Sequence, residues 1–168
     1  NALVYYTKLE QTAELSTNLL QSYIGQLRCY SKLANHELAL KYSDKVIGFD
    51  RAGPDIKNEA HLFKSKAAMA LDNFNLAYEE ASLASQSSSD MGAEAKYISA
   101  YIQYLRGNYK SSEELVFQLS SQVPSYEYWV AKGFILLSDN YLMMNNAFQA
   151  KATLQSIIDN YAFANDTF

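Results

Sequence analysis

The chain has 168 residues, 49% of them hydrophobic and 19% charged, with a net charge of −4. That balance argues against a disordered segment, and the lack of any basic block or stripe argues against a nucleic-acid partner. Two prolines and six glycines favour long helices over a strand-and-turn fold.

In chain order, residues 2–12 read as one helix carrying Leu3, Tyr5, Tyr6 and Leu9. Residues 15–33 and 37–49 read as a helix pair, closed by the turn Ala52-Gly53-Pro54-Asp55. A second pair spans 55–71 and 75–87 and ends at Ser87-Ser88-Ser89-Asp90, a turn with an N-cap residue. The third pair, 91–105 and 109–121, stops at Val123-Pro124-Ser125, and the fourth covers 126–143 and 147–160. No domain boundary is required, and no apolar run approaches the length needed to cross a bilayer. The chain starts at Asn1 in the middle of the pattern, which reads as a fragment.

Residues with chemical potential are few. None of the phosphate-loop, GxSxG, HExxH or EF-hand patterns occurs. Cys29 is the only cysteine and reads as a buried, inert thiol. His36 and His61 have no neighbours at ligand spacing, so no metal or other cofactor is expected, and both read as packing or surface residues. The adjacent carboxylates Glu79-Glu80 and Glu113-Glu114 read as solvated helix surface. The chain is therefore not expected to be an enzyme.

The informative signal is repetition. Four segments align: Leu33-Ala34-Asn35-His36-Glu37-Leu38-Ala39, Leu71-Asp72-Asn73-Phe74-Asn75-Leu76-Ala77, Leu105-Arg106-Gly107-Asn108-Tyr109-Lys110-Ser111-Ser112 and Met144-Asn145-Asn146-Ala147-Phe148-Gln149-Ala150. Their last residues, Ala39, Ala77, Ser112 and Ala150, lie 38, 35 and 38 positions apart. A small residue early in the second helix of each pair lets it approach the first closely. The fourth unit carries Phe134-x2-Leu137-Ser138-x2-Tyr141 followed by Ala150-x3-Leu154.

In period and in these motifs the chain resembles the tetratricopeptide repeat (TPR) family over nearly its whole length. The third unit departs from the family at Ser99-Ala100 and Gln103, the second at Ala68, and the first at Leu27, where a shifted packing is expected. Gly25-Gln26-Leu27-Arg28-Cys29-Tyr30 and Tyr128 to Leu137 are similar to segments of long multi-TPR proteins of Gram-negative bacteria. The resemblance implies an all-α solenoid of about four helix-turn-helix repeats plus one extra N-terminal helix. It also implies a right-handed superhelix with the first helix of each pair on the concave side, and a periplasmic or outer-membrane-periphery setting. The leading function it implies is a scaffold that holds a protein or peptide partner. A structural segment that self-associates through its repeat ends is the alternative, and a glycan-binding TPR lipoprotein a more distant one.

On that reading the groove residues are Arg28 and Lys32, then Leu62 and Lys66, then Tyr97, Tyr101 and Tyr104, and finally Asp139. The three tyrosines share one helix face by their spacing, and their rings would supply rigid contact area beside basic points. A carboxylate-gripping TPR clamp would need Asn where this chain has Arg28, Lys66, Tyr101 and Asp139, so that clamp is not expected.

Overall fold

The computed structural model describes residues 2–161, the last of them by its backbone alone. Among the described residues there are nine α-helices and no strand: α1 Ala2–Thr12, α2 Ser16–Lys32, α3 His36–Ile47, α4 Pro54–Ala70, α5 Phe74–Ala84, α6 Asp90–Leu105, α7 Tyr109–Ser120, α8 Glu127–Met143 and α9 Ala147–Tyr161. The helix limits expected from sequence fall within three residues of these. The chain forms two compact units, one up to Ser87 and one from Ser88, parting inside the serine run. In each unit, helices consecutive in sequence pack on one another.

One turn recurs between the helices of every pair. Its second residue has positive φ: Ala34 at 52°, Asp72 at 57°, Gly107 at 76° and Asn145 at 58°. This left-handed residue ends the first helix, and the next N–H closes the turn by donating to a carbonyl five residues back. Those bonds are Asn35 to Tyr30 (3.0 Å), Asn73 to Ala68 (2.9 Å), Asn108 to Gln103 (2.9 Å) and Asn146 to Tyr141 (2.8 Å). The same asparagine then begins the second helix. The Oδ1 atoms of Asn35, Asn73 and Asn146 accept from Leu38, Leu76 and Gln149 backbone N–H groups, each at 3.2 Å. Asn108 differs, its side chain donating instead to Gln103 Oε1 at 2.9 Å.

The small residues sit where the helices pack on one another. Ala39, Ala77, Ser112 and Ala150 are all buried. Ser65 on α4 donates its hydroxyl to the Ala77 carbonyl at 2.7 Å, and Ser138 on α8 does the same to Ala150 at 3.3 Å. These serines occupy one register position in two repeats, and only their short side chains lie between the paired helices there. Ala100 holds that position in the third pair. In the first it is Leu27, buried in the core with Leu20, Ile24, Tyr42 and Val46. The second unit's core runs through Ala93, Ala100, Val116, Leu119, Leu136 and Leu137.

Two further close contacts depend on glycine. A Cβ at Gly25 would overlap the Tyr6 ring, which seats α1 on α2. At Gly133 it would press on Val116 and Leu119, which would force α7 and α8 to give.

Candidate functional site

In the second unit α6 and α8 lie side by side, and aromatic rings occupy their shared surface. Tyr97 and Tyr101 are nearly parallel, 6° apart with centroids 6.2 Å apart, and Tyr101 continues to Tyr104 at 15° and 6.3 Å. Tyr97 meets Trp129 of α8 at 5.8 Å, and Trp129 abuts Tyr128 edge-on at 4.8 Å. Lys132 Nζ sits over three of these rings, 4.8 Å from Tyr97, 5.2 Å from Trp129 and 5.5 Å from Tyr128. Such placement over aromatic faces is attractive electrostatically. Trp129 is anchored by its indole N–H, which donates to Asp90 at 3.1 Å.

The rows of tyrosine also serve the core. Tyr97, Tyr101 and Tyr104 are half-buried against Ala100, Val116 and Leu136. Burial pushes the Tyr97 and Tyr104 hydroxyls above the ordinary tyrosine range, and the Asp139 carboxylate adds to both shifts. Asp139 and Ile135 are exposed on α8. The surface thus combines a three-tyrosine ladder, a cation held among rings and the exposed Asp139 carboxylate.

In the first unit α2 and α4 are joined by a two-point ion pair. Arg28 donates from Nε and Nη2 to the Glu59 oxygens at 2.6 and 2.7 Å. Glu59 is buried at this junction. Lys32 and Lys66 are exposed. Leu62 is a correction to the sequence reading: it is 3% exposed and belongs to the interior. Ile24 likewise belongs to the core.

The two junctions are counterparts. Glu59 on α4 and Lys132 on α8 stand the same distance before Ser65 and Ser138. Arg28 and Tyr101 each follow the close-approach residue of the preceding first helix, Leu27 and Ala100. Glu59, the acceptor of the salt bridge in one unit, and Lys132, the cation of the aromatic cluster in the other, thus occupy equivalent places in the repeat.

Sequence reasoning missed a set of inward-facing carboxylates. Glu80 is buried, 2.5 Å from His61 Nδ1 and 2.6 Å from Lys64 Nζ, and Lys64 also pairs with Asp44 at 2.9 Å. His61 therefore faces α5. Burial alone would raise the Glu80 carboxyl, but the hydrogen bonds from His61 and Lys64 outweigh it and hold it below the ordinary range.

Glu113 is also buried and accepts from Lys110 at 2.6 Å and from the Tyr141 hydroxyl at 3.0 Å. Only Glu79 and Glu114 of the two adjacent pairs are solvated. The signal was present in the sequence, because adjacent helical residues cannot share a face. Glu10 of α1 accepts from Gln26 at 2.6 Å, Tyr42 at 2.9 Å and Lys45 at 2.5 Å, knitting α1, α2 and α3 together.

Cys29 is half-buried, more accessible than the inert thiol expected. No group of three or more potential metal ligands occurs among the described residues, and no described helix is long and apolar enough to cross a membrane. The chain matches no protein-family model and no curated protein.

Proposed function

We propose that the chain is a TPR-type helical repeat protein that binds a segment of a protein partner on surfaces formed by the first helices of its pairs. The observation that carries this reading is the tyrosine ladder of α6 with Trp129 and Lys132 of α8. Rigid aromatic side chains give large contact area at low entropic cost, and they dominate protein-binding hot spots. The recurring left-handed turn, asparagine cap and buried small residue support the repeat class. Exposed Lys66 and Lys32 in the first unit supply basic points for acidic groups of a partner, acting mainly on association rate.

Peptides selected from a random display library against this chain test the proposal when their footprints are mapped by amide chemical shifts. Shifts clustered on α6 and α8, or on α2 and α4, support it. Shifts confined to the exposed sides of α5 and α7, around Glu79 and Glu114, refute it.

A further inference from the structure

The first unit holds a cleft of about 420 Å³ between α1, α2 and α4. It is lined by Gly25 and Cys29 on one face of α2, by Tyr6 of α1 and by Phe63 of α4. Gly25 matters here because it lets the Tyr6 ring lie directly on α2, where a Cβ would collide with it. The rim is polar. Arg28 and Glu59 neutralise each other across the α2–α4 side. That pair uses Nε and Nη2 of Arg28 and fixes the guanidinium in place, leaving Nη1 without a hydrogen bond among the described residues. Lys32, one turn further along α2, also lines the cleft and has no ion-pair partner among the described residues. The cleft therefore has an apolar interior and one uncompensated positive charge at its edge.

We infer that this cleft takes an apolar side chain, aromatic or long aliphatic, borne beside a carboxylate on the same ligand segment. The side chain enters between Tyr6 and Phe63, and the carboxylate meets Lys32 and the open edge of Arg28. The volume lies within the range of small-ligand pockets and admits one large side chain with the backbone that carries it. Charge selects the occupant: a cationic ligand would face Lys32 unpaired, whereas an anionic one completes it. The inference rests on the partner-binding reading above and adds the chemistry that one of its surfaces recognises.

The test uses the whole chain, isotopically labelled, and small probes. 3-Phenylpropionate carries the ring and the carboxylate, 3-phenylpropylamine the ring with the opposite charge, and acetate the carboxylate alone. The expected result is saturable amide shifts at Gly25, Arg28, Cys29 and Lys32 with 3-phenylpropionate, at a Kd of about 1 mM or somewhat weaker. The amine and acetate should give at least about fivefold weaker binding. Lys32→Glu, an exposed change that leaves the core intact, should weaken 3-phenylpropionate about fivefold or more, and added salt should weaken it in the wild type.

Absence of saturable shifts at these residues up to about 20 mM, or equal binding of the amine, overturns the inference. So does a Lys32→Glu variant that binds 3-phenylpropionate as the wild type does. If the cleft fails while Tyr101→Ala still weakens a displayed peptide, this inference falls alone. If the cleft binds while no displayed peptide touches α6, α8, α2 or α4, the broader reading falls instead.

Discussion

Replacing Ala34 by Gly should stabilise the first unit, and replacing Gly107 by Ala should destabilise the second. Ala34 holds φ at 52° in a turn where Gly107 holds 76°. A left-handed conformation costs an L-residue with a Cβ about 1–2 kcal/mol. Glycine escapes that cost, but its greater freedom in the unfolded chain takes back about 0.4–1 kcal/mol. The net expectation for Ala34→Gly is a gain of about 0.5–1 kcal/mol, and for Gly107→Ala a loss of similar size. Asn145→Gly should gain less than Ala34→Gly, because asparagine tolerates this region through its own short side chain. Each change is read by urea denaturation followed by helical circular dichroism, as a shift of midpoint with the slope unchanged. Equal signs for Ala34→Gly and Gly107→Ala, or no effect from either, would refute the claim that these residues share one turn conformation.

Trp in place of Ala77 or Ala150, both buried at close helix approaches, should cost about 1–3 kcal/mol or more through overpacking. Thermal melts unchanged by both would show the repeat register to be misplaced. Stability should also fall in acid. The folded-state Glu80 and Glu10 carboxyls are held below the ordinary value of 4.5, so their contribution is complete above that value and is lost as pH drops through the depressed one. The Glu80→Gln variant should lose less stability than the wild type between about pH 7 and pH 3, and parallel losses would contradict this role for Glu80.

The exposed apolar residues Val4 and Tyr5 on α1, and Phe148 and Ile158 on α9, should promote self-association at high concentration. The same expectation extends to Phe163, which lies outside the described residues. Light scattering of a strict monomer at high concentration would count against the self-association alternative.

The helices and their pairing were legible because the repeat places a small residue, a turn and an asparagine at fixed spacing. The alignment emphasised the small residue and the aromatic, yet the asparagine at 35, 73, 108 and 146 is the feature common to all four turns. The expected groove residues were less legible. Spacing puts Leu62 on the same helical stripe as Lys66, but local periodicity does not say which neighbouring helix covers that stripe, and Leu62 is covered. The aromatic ladder was visible from Tyr97, Tyr101 and Tyr104. Its completion by Trp129 and Lys132 was not, since it joins residues from two helices separated by α7. The inward carboxylates Glu80 and Glu113 escaped because acidic residues in adjacent pairs suggest solvent. Their cationic and hydroxyl partners come from other turns and helices.

The most direct test of the partner-binding account is the affinity of a display-selected peptide for the wild type, Tyr101→Ala, Lys66→Ala and Glu114→Ala, each checked for folding by thermal melt. The account predicts that Tyr101→Ala weakens binding about tenfold or more, equivalent to about 1.4 kcal/mol. Lys66→Ala should act less strongly and mainly on the association rate and its salt dependence, and Glu114→Ala should leave binding intact. Full binding by folded Tyr101→Ala, with loss of binding in Glu114→Ala, would contradict it.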